Sequence, residues 1–385
     1  MRTAIIVDAF PSRTETFIIR HINGLNADVL AVSMDESDMK GWANRPYVAC
    51  QFYKQRKKKE IINRIIDRVK ELTIGLPAPR WSPAMQKICE NYLKERKPDV
   101  VLAEFAPNGM CAMEVCEKYC IPLVVHFHGY DASSLLRIKN YRELLPVLFR
   151  KSSAIVVVSR WMRDLLIEMG CRKSKLHVIP CGAPVDEFMP SDKVMDQPCN
   201  FITVSSFTPM KGTLYTIKAF SLCAKRCENT TLTMIGDGKE YKKAKELVRK
   251  LRLINKISLI GSQSIETVYE YLKKSCVFLQ HSITTPLGHK EGWGVSIAEA
   301  AATGLPIVST DHGGISDHVV NGKTGFLVQE GDWKAMAKKM ILLANNPGLR
   351  NKMGTAGRHN IEQTGNAELQ IQKLRQVLKT ASVSN

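Results

Sequence analysis

The chain of 385 residues contains no apolar run approaching the roughly 20 residues that a membrane-crossing helix needs, so it does not read as an integral membrane protein. Its 11 cysteines include no C-x-x-C pair, which removes the usual zinc and dithiol spacings. Cys111 with Cys116 and Cys223 with Cys227 read as reduced thiols at buried helix positions, and metal binding is not expected. The opening MRTAIIVDAF lacks the charged region, long apolar core and cleavage site of a secretion signal, so a cytoplasmic location is expected. IGDG at Ile235 to Gly238 offers G-x-G without a third glycine at the dinucleotide spacing, which gives little support to a nicotinamide dehydrogenase. No helix-turn-helix, zinc-finger spacing or aromatic RNA-binding signature is present, so no nucleic-acid partner is expected. Acidic residues are the scarce charges, 37 against 55 Lys and Arg; the net charge of +18 attracts anions of many kinds.

What is present suits two globular domains, with 44% hydrophobic and 24% charged residues. Strand-length apolar runs alternate with helical stretches, which predicts a doubly wound α/β architecture. In the first half, Thr3 to Val7, Asp28 to Val32, Val100 to Ala103, Leu123 to His126 and Ala154 to Val158 read as strands. Helices are expected at Thr16 to Leu25, Ile61 to Leu72, Ser82 to Glu95 and Met110 to Tyr119. A second series of strands follows at Phe201 to Ser205, Leu232 to Ile235, Ile257 to Ile260, Val277 to Gln280, Pro306 to Ser309 and Gly325 to Val328. The proline-bearing stretch between the series has no periodicity, so the domains are placed at 1–180 and 199–360 with a linker at 181–198. Ligands of open parallel sheets bind at the carboxyl ends of the strands, so two such sheets facing each other would enclose a cleft.

The most informative segment is KEGWGVSIAEAAATGLPIVSTDHGG, Lys290 to Gly314. Helix-favouring residues begin near Val295, and the backbone N–H groups of that first turn form a ready anion site. Gly292 and Gly294 let backbone approach a ligand closely. Glu291 precedes the helix and Glu299 falls within its opening turns; both carboxylates can accept hydroxyl hydrogen bonds from sugars. The alternative is local, because Ser296 to Glu299 also has the S-x-x-E spacing of a capping box. Lys211, in PMKG after a strand, stands where a cation meets a ligand at strand ends. His128 ends a strand and is followed by Gly129; His126 shares its face by strand alternation, and either imidazole is also an ordinary structural residue. Asp131 either bonds within the turn or meets an acceptor. Thr14, Glu15 and Thr16 lie in the loop after the first strand, where a helix cap is the competing reading.

EGWGVSIAE resembles the E-x7-E signature of glycosyltransferase family 4, retaining enzymes of the GT-B fold, and the likeness runs through GLPIVSTDHGGISD and NGKTGFLV. HFHGYD, VSRWMRDLL, IPCGAPVDEF, PMKG and IGDG follow the family order, so the likeness covers nearly the whole chain. FPSRTETFI and HGYDAS look most like the bacterial exopolysaccharide branch of colanic acid and amylovoran glycosyltransferases. The resemblance implies two Rossmann-like domains facing each other across a cleft, the first binding acceptor and the second a nucleotide-sugar donor. It also implies that the last helix, within 361–385, packs back on the first domain.

The resemblance assigns catalytic roles to His128, Lys211 and Glu291. It places the donor against Ser206, Lys211, Gly261, Ser262, Gln263, Gly292, Trp293, Gly294, Val295, Ser296 and Glu299, and the acceptor near Thr14, Glu15 and Asp131. The family usually has an arginine where this chain has Ser206; Lys290, Arg160 or the serine hydroxyl would have to compensate. No D-x-D occurs, so metal-independent transfer of a hexosyl group is expected, with no cofactor beyond the nucleotide diphosphate sugar. A UDP-sugar is favoured and a GDP-sugar is the alternative, with a hydroxyl of a glycan or lipid-linked saccharide as acceptor. A nucleotide-sugar epimerase or a phosphorylase would share the frame.

Basic residues concentrate between Lys54 and Lys70, where Ile61, Ile62, Ile65, Ile66 and Val69 fall at helical spacing beneath a cationic face. Such a helix can lie on an anionic membrane surface, gaining about 1 kcal/mol per nearby Lys or Arg, or pack its apolar side on its own domain.

Overall fold

The computed structural model describes residues 1–10, 15–34, 47–49, 83–190 and 198–383. Thr14 and the basic stretch Lys54 to Lys70, with the helix expected at Ile61 to Leu72, lie outside the described residues. The chain divides into two compact units, Met1–Pro180 with Glu368–Asn385, and Cys181–Ala367.

The first unit is built on seven parallel strands: β1 (Thr3–Phe10), β2 (Asp28–Met34), β3 (Tyr47–Ala49), β4 (Val100–Glu104), β5 (Leu123–Phe127), β6 (Ala154–Val157) and β7 (Leu176–Val178). Their order is β3-β2-β1-β4-β5-β6-β7. Every residue of β4, β5 and β6 is buried, which explains their continuous apolar runs: helices cover both faces of a parallel sheet, so alternation with polar residues is lost. The exceptions, Glu104 and His126, sit at or beside the carboxyl ends. The helix expected from Met110 begins at Ala106, because Pro107 is tolerated in a first turn where its missing N–H costs nothing. Within this unit the terminal helix Ala367–Val383 buries Leu374 and Leu378, and the Arg375 guanidinium donates to the Gly24 carbonyl at the end of the helix Thr16–Leu25.

The second unit has six parallel strands: β8 (Asn200–Val204), β9 (Thr231–Ile235), β10 (Ile257–Leu259), β11 (Val277–Gln280), β12 (Ile307–Thr310) and β13 (Gly325–Val328), ordered β10-β9-β8-β11-β12-β13. Phe201, Phe207, Phe220, Met234, Val308 and Met336 belong to its core. The stretch 181–190, read from its prolines as a connector, packs in this unit. Ala183 bridges Asn366, Phe188 is 1% exposed, and Arg358 donates to the carbonyls of Val185 and Phe188 at 2.8 Å.

Both sheets reverse their winding between the first and fourth strands, β1 with β4 and β8 with β11. At such a switch point the flanking loops diverge and leave a crevice beyond the carboxyl ends, where ligands of these sheets bind.

Candidate active site

In the second unit the switch point lies between the loops after β8 and β11. The loop after β8 runs through Ser205 and Ser206 to a single 3₁₀ turn, Pro209–Lys211, closed by Gly212. Gly212 has φ +58°, and a Cβ there would stand 1.7 Å from the His281 carbonyl oxygen; only glycine lets the two loops touch. That approach brings Lys211 Nζ to 2.5 Å from Glu291 Oε2. The same oxygen accepts from Gln280 Nε2 at 3.0 Å, and Gln280, the last residue of β11, also donates to Ser282 Oγ at 2.9 Å. Ser296 Oγ donates to Gln280 Oε1 at 3.4 Å. Lys211, Gln280, Glu291 and Ser296 thus form one connected group.

Glu291 is buried, which pushes its carboxyl up, but the Lys211 ammonium, by charge and hydrogen bond together, and the Gln280 hydrogen bond hold it below the usual carboxylate range. An ionised Glu291 only accepts hydrogen bonds, as a donor hydroxyl requires. Its backbone is fixed as well. The N–H donates to His312 Nε2 at 3.1 Å and the carbonyl accepts from the Gly314 N–H at 3.3 Å. Gly313, at φ +56°, sits so close that a Cβ would lie 2.0 Å from the Glu291 carbonyl oxygen. His312 Nδ1 in turn meets Glu330 Oε1 at 2.7 Å, and Glu330 Oε2 accepts the Thr284 N–H at 2.6 Å.

The helix Val295–Ala302 starts directly after this group, with Gly294 at the N-cap and no side-chain cap. Ser296 lies inside the first turn, so the capping box that its spacing with Glu299 allowed is not formed. The first-turn N–H groups of Val295 and Ser296 are left to bind something else. Glu299 is buried at 6% exposure. Gly292 is buried too, and the Trp293 side chain turns into the core. At 3% exposure the ring packs 4.7 Å from that of His318, whose Nε2 lies 2.7 Å from the Trp293 carbonyl oxygen. Gly261 accepts the Gly236 N–H at 2.9 Å beyond β9, while Ser262 and Gln263 are exposed and Gln263 Nε2 donates to the Ile260 carbonyl.

In the first unit the carboxyl ends of β4 and β5 hold a buried cluster. Glu104 Oε2 meets His128 Nε2 at 2.6 Å, Oε1 meets His21 Nδ1 at 2.7 Å, and His126 Nδ1 lies 3.4 Å from Oε2. Burial pushes the Glu104 carboxyl up, and the imidazoles of His21 and His128 more than reverse this, leaving it well below its ordinary range. His126 moves the other way: burial first, and His128 second, hold it far below the normal imidazole value. The His128 ring packs between Phe17 and Phe105, with centroids at 4.6 and 4.7 Å. Asp131 is a correction. Fully buried, its carboxylate accepts the N–H groups of Ala106, His128 and Gly129 at 2.9–3.1 Å, so it builds the turn that presents His128 and is not available to an acceptor. Glu15 occupies the N-cap of the helix Thr16–Leu25 without a side-chain cap hydrogen bond.

Sequence reasoning missed Gln280, His312, Glu330, Glu104 and His21. Gln280 and Glu104 carry a usable signal, a polar residue closing an otherwise apolar strand. The others meet their partners only through the fold.

Tandem doubly wound units of this strand order are the architecture of GT-B glycosyltransferases, and the comparisons with known proteins agree. Residues 186–360 match the family described as glycosyl transferases group 1 and residues 40–187 match Glycosyltransferase Family 4. Together the matches run from residue 40 to residue 360, and the chain belongs to this glycosyltransferase family. It is 28% identical over 284 residues to the amylovoran biosynthesis glycosyltransferase AmsK of Erwinia amylovora, covering 73% of this chain and 70% of that protein. The putative colanic acid biosynthesis glycosyltransferase WcaL of Escherichia coli is 26% identical over 364 residues, 88% of this chain and 90% of its own. Among solved structures, HepE of Anabaena in complex with UDP superposes with a TM-score of 0.78 at 17% identity, over 99% of this chain and all of that one. HepE has also been solved with UDP-glucose. Among the described residues no helix is long and apolar enough to cross a membrane.

Proposed function

We propose that this chain transfers a hexosyl group from a UDP-sugar, with a GDP-sugar as second choice, to a hydroxyl of a glycan or lipid-linked saccharide, with retention at the anomeric carbon. The observation that carries this reading is the Lys211–Glu291–Gln280 group in front of an uncapped helix start at the switch point of the second unit. The UDP-bound HepE complexes make uridine the first base to try.

In this mechanism the diphosphate lies against the first-turn N–H groups of Val295 and Ser296, and Lys211 meets the oxygen on which negative charge develops as the glycosidic C–O bond breaks. Donors fixed in place before the reaction need no reorganisation, so Lys211 and the helix start supply the charge stabilisation without a metal ion. Glu291, held ionised by Lys211, accepts a hydroxyl of the sugar, and Glu299 accepts from the ribose. The acceptor oxygen attacks from the face that the nucleotide leaves, and its proton passes to the departing phosphate oxygen, so no protein base is required. His128 is the catalytic residue of the first unit, oriented by Glu104 and by the turn that Asp131 caps. The first unit is the acceptor-binding one.

A calorimetric titration with UDP, GDP, ADP and TDP, first without metal and then with magnesium, tests this. Saturable binding of one nucleotide without metal, lost in Lys211→Ala, is the expected result, together with a large fall in turnover and an intact fold in Glu291→Ala. Binding of none of the four, or wild-type turnover in Glu291→Ala, would sink the assignment.

A further inference from the structure

The backbone N–H of Glu291 fixes the protonation of His312. An N–H can only donate, so Nε2, 3.1 Å away, must present a lone pair. A neutral imidazole with a bare Nε2 carries its proton on Nδ1, and Nδ1 faces Glu330 Oε1 at 2.7 Å. Glu330 does more than accept that proton's hydrogen bond. Its second oxygen holds the Thr284 N–H at 2.6 Å, and Oε1 also accepts from Thr284 Oγ1 at 3.1 Å. One carboxylate, at the end of β13, therefore ties together the loop after β11, through Thr284, and the turn after β12, through His312. Glu291 lies between those two segments in the chain. His312 is 3% exposed, so water cannot easily replace the hydrogen bond it accepts.

We propose that His312 and Glu330 are positioning residues for transfer. Glu330 locks His312 as the Nδ1–H tautomer, and the bare Nε2 holds the Glu291 backbone so that its carboxylate stays on Lys211 and Gln280. The inference rests on the reading of Glu291 as the site's sugar-binding acid. Without Glu330 the imidazole can turn its proton to Nε2, where it would oppose the Glu291 N–H, donor against donor. The acid then shifts, and displacement of about 1 Å is enough to cost up to about a hundredfold in rate. The diphosphate contacts, made by Lys211 and the helix start, do not depend on this link.

The test compares Glu330→Ala, Glu330→Gln and wild type for UDP released from UDP-glucose, for UDP affinity by calorimetry, and for the His312 tautomer by ¹⁵N NMR of histidine-labelled protein, with His312→Gln assigning the signal. The expected result for Glu330→Ala is a fall in kcat of about tenfold or more with UDP affinity nearly unchanged, since misplacing one reacting partner acts on the transition state. Glu330→Gln keeps one acceptor oxygen for Nδ1–H but turns its NH2 toward the Thr284 N–H, so its kcat is expected to lie between those of Glu330→Ala and the wild type. In the wild type the His312 signal is that of an Nδ1–H tautomer, and in Glu330→Ala it becomes a mixture. An Nε2–H tautomer in the wild type would overturn the proposal. So would unchanged kcat in Glu330→Ala, or parallel loss of melting temperature, UDP affinity and kcat. The NMR arm needs neither donor nor turnover, so it separates failure of this link from failure of the transferase reading, which would show as absent UDP binding in the wild type.

Discussion

Glu291 keeps its charge in a buried place because Lys211 stands 2.5 Å away and Gln280 donates to the same oxygen. The pair is preformed, so a diphosphate bound as proposed would share an ammonium already held by Glu291. Glu299 is buried in the helix Val295–Ala302, and Glu299→Ala is expected to weaken nucleotide binding by calorimetry; unchanged affinity would remove Glu299 from the donor site. His281 shows the opposite chemistry. Burial lowers its imidazole to about 4, below the usual 6.5, and its Nε2 accepts the Gly331 N–H at 3.0 Å. The unfolded chain takes up a proton that the folded chain refuses, so this contribution is complete above the unfolded value of 6.5 and is lost as pH falls toward 4. At 1.36 kcal/mol per unit, stability should decrease by about 3 kcal/mol across that window. Denaturant unfolding of wild type and His281→Asn between pH 7 and 4 checks this, with a flatter pH dependence expected in the variant.

At the level of elements, the site is made by loops at strand ends that touch through glycine. Gly212→Ala would place a Cβ 1.7 Å from the His281 carbonyl oxygen, at a φ of +58° that alanine adopts only at a cost. The turn carrying Lys211 must then move away from β11. The expected outcome is loss of nucleotide affinity and destabilisation of about 2 kcal/mol or more, the range for a strained backbone site. Wild-type UDP affinity in this variant would show that Lys211 does not depend on the contact. Most strands were legible because parallel strands covered on both faces read as unbroken apolar runs, as in β4 and β5. The three-residue strands β3 and β7 were not, since Tyr47–Ala49 and Leu176–Val178 are too short to show any period. The start of the helix Val295–Ala302 was legible from its glycines, whereas the capping box at Ser296 was not formed, because a helix entered through Gly294 leaves Ser296 two residues too far inside.

For the molecule as a whole, the terminal helix belongs to the first unit, where Leu374 and Leu378 are fully buried. Truncation after 367 should expose that apolar face and lower the melting temperature of the first unit while leaving UDP affinity in place; equal loss of both would show that the units are not energetically separate. The basic stretch Lys54 to Lys70 sets another expectation. We propose that it holds the enzyme on an anionic lipid surface, so co-sedimentation with phosphatidylglycerol vesicles should fall at high salt and with Lys57, Lys58 and Lys59 replaced by Gln. No difference from neutral vesicles would refute it.

The sequence alone determined most of the strands, their repetition as two doubly wound series, and which chemical groups stand at strand ends, because period and spacing are local properties of the chain. Lys211 and Glu291 could be named in this way. That they share one oxygen with Gln280, that Glu104 gathers three histidines, and that Glu330 reaches back through His312 to Glu291 were decided only by the tertiary structure. Those partners lie 11 to 83 residues apart in the chain, and hydrogen bonds at such separations exist only once the sheet order has brought the loops together.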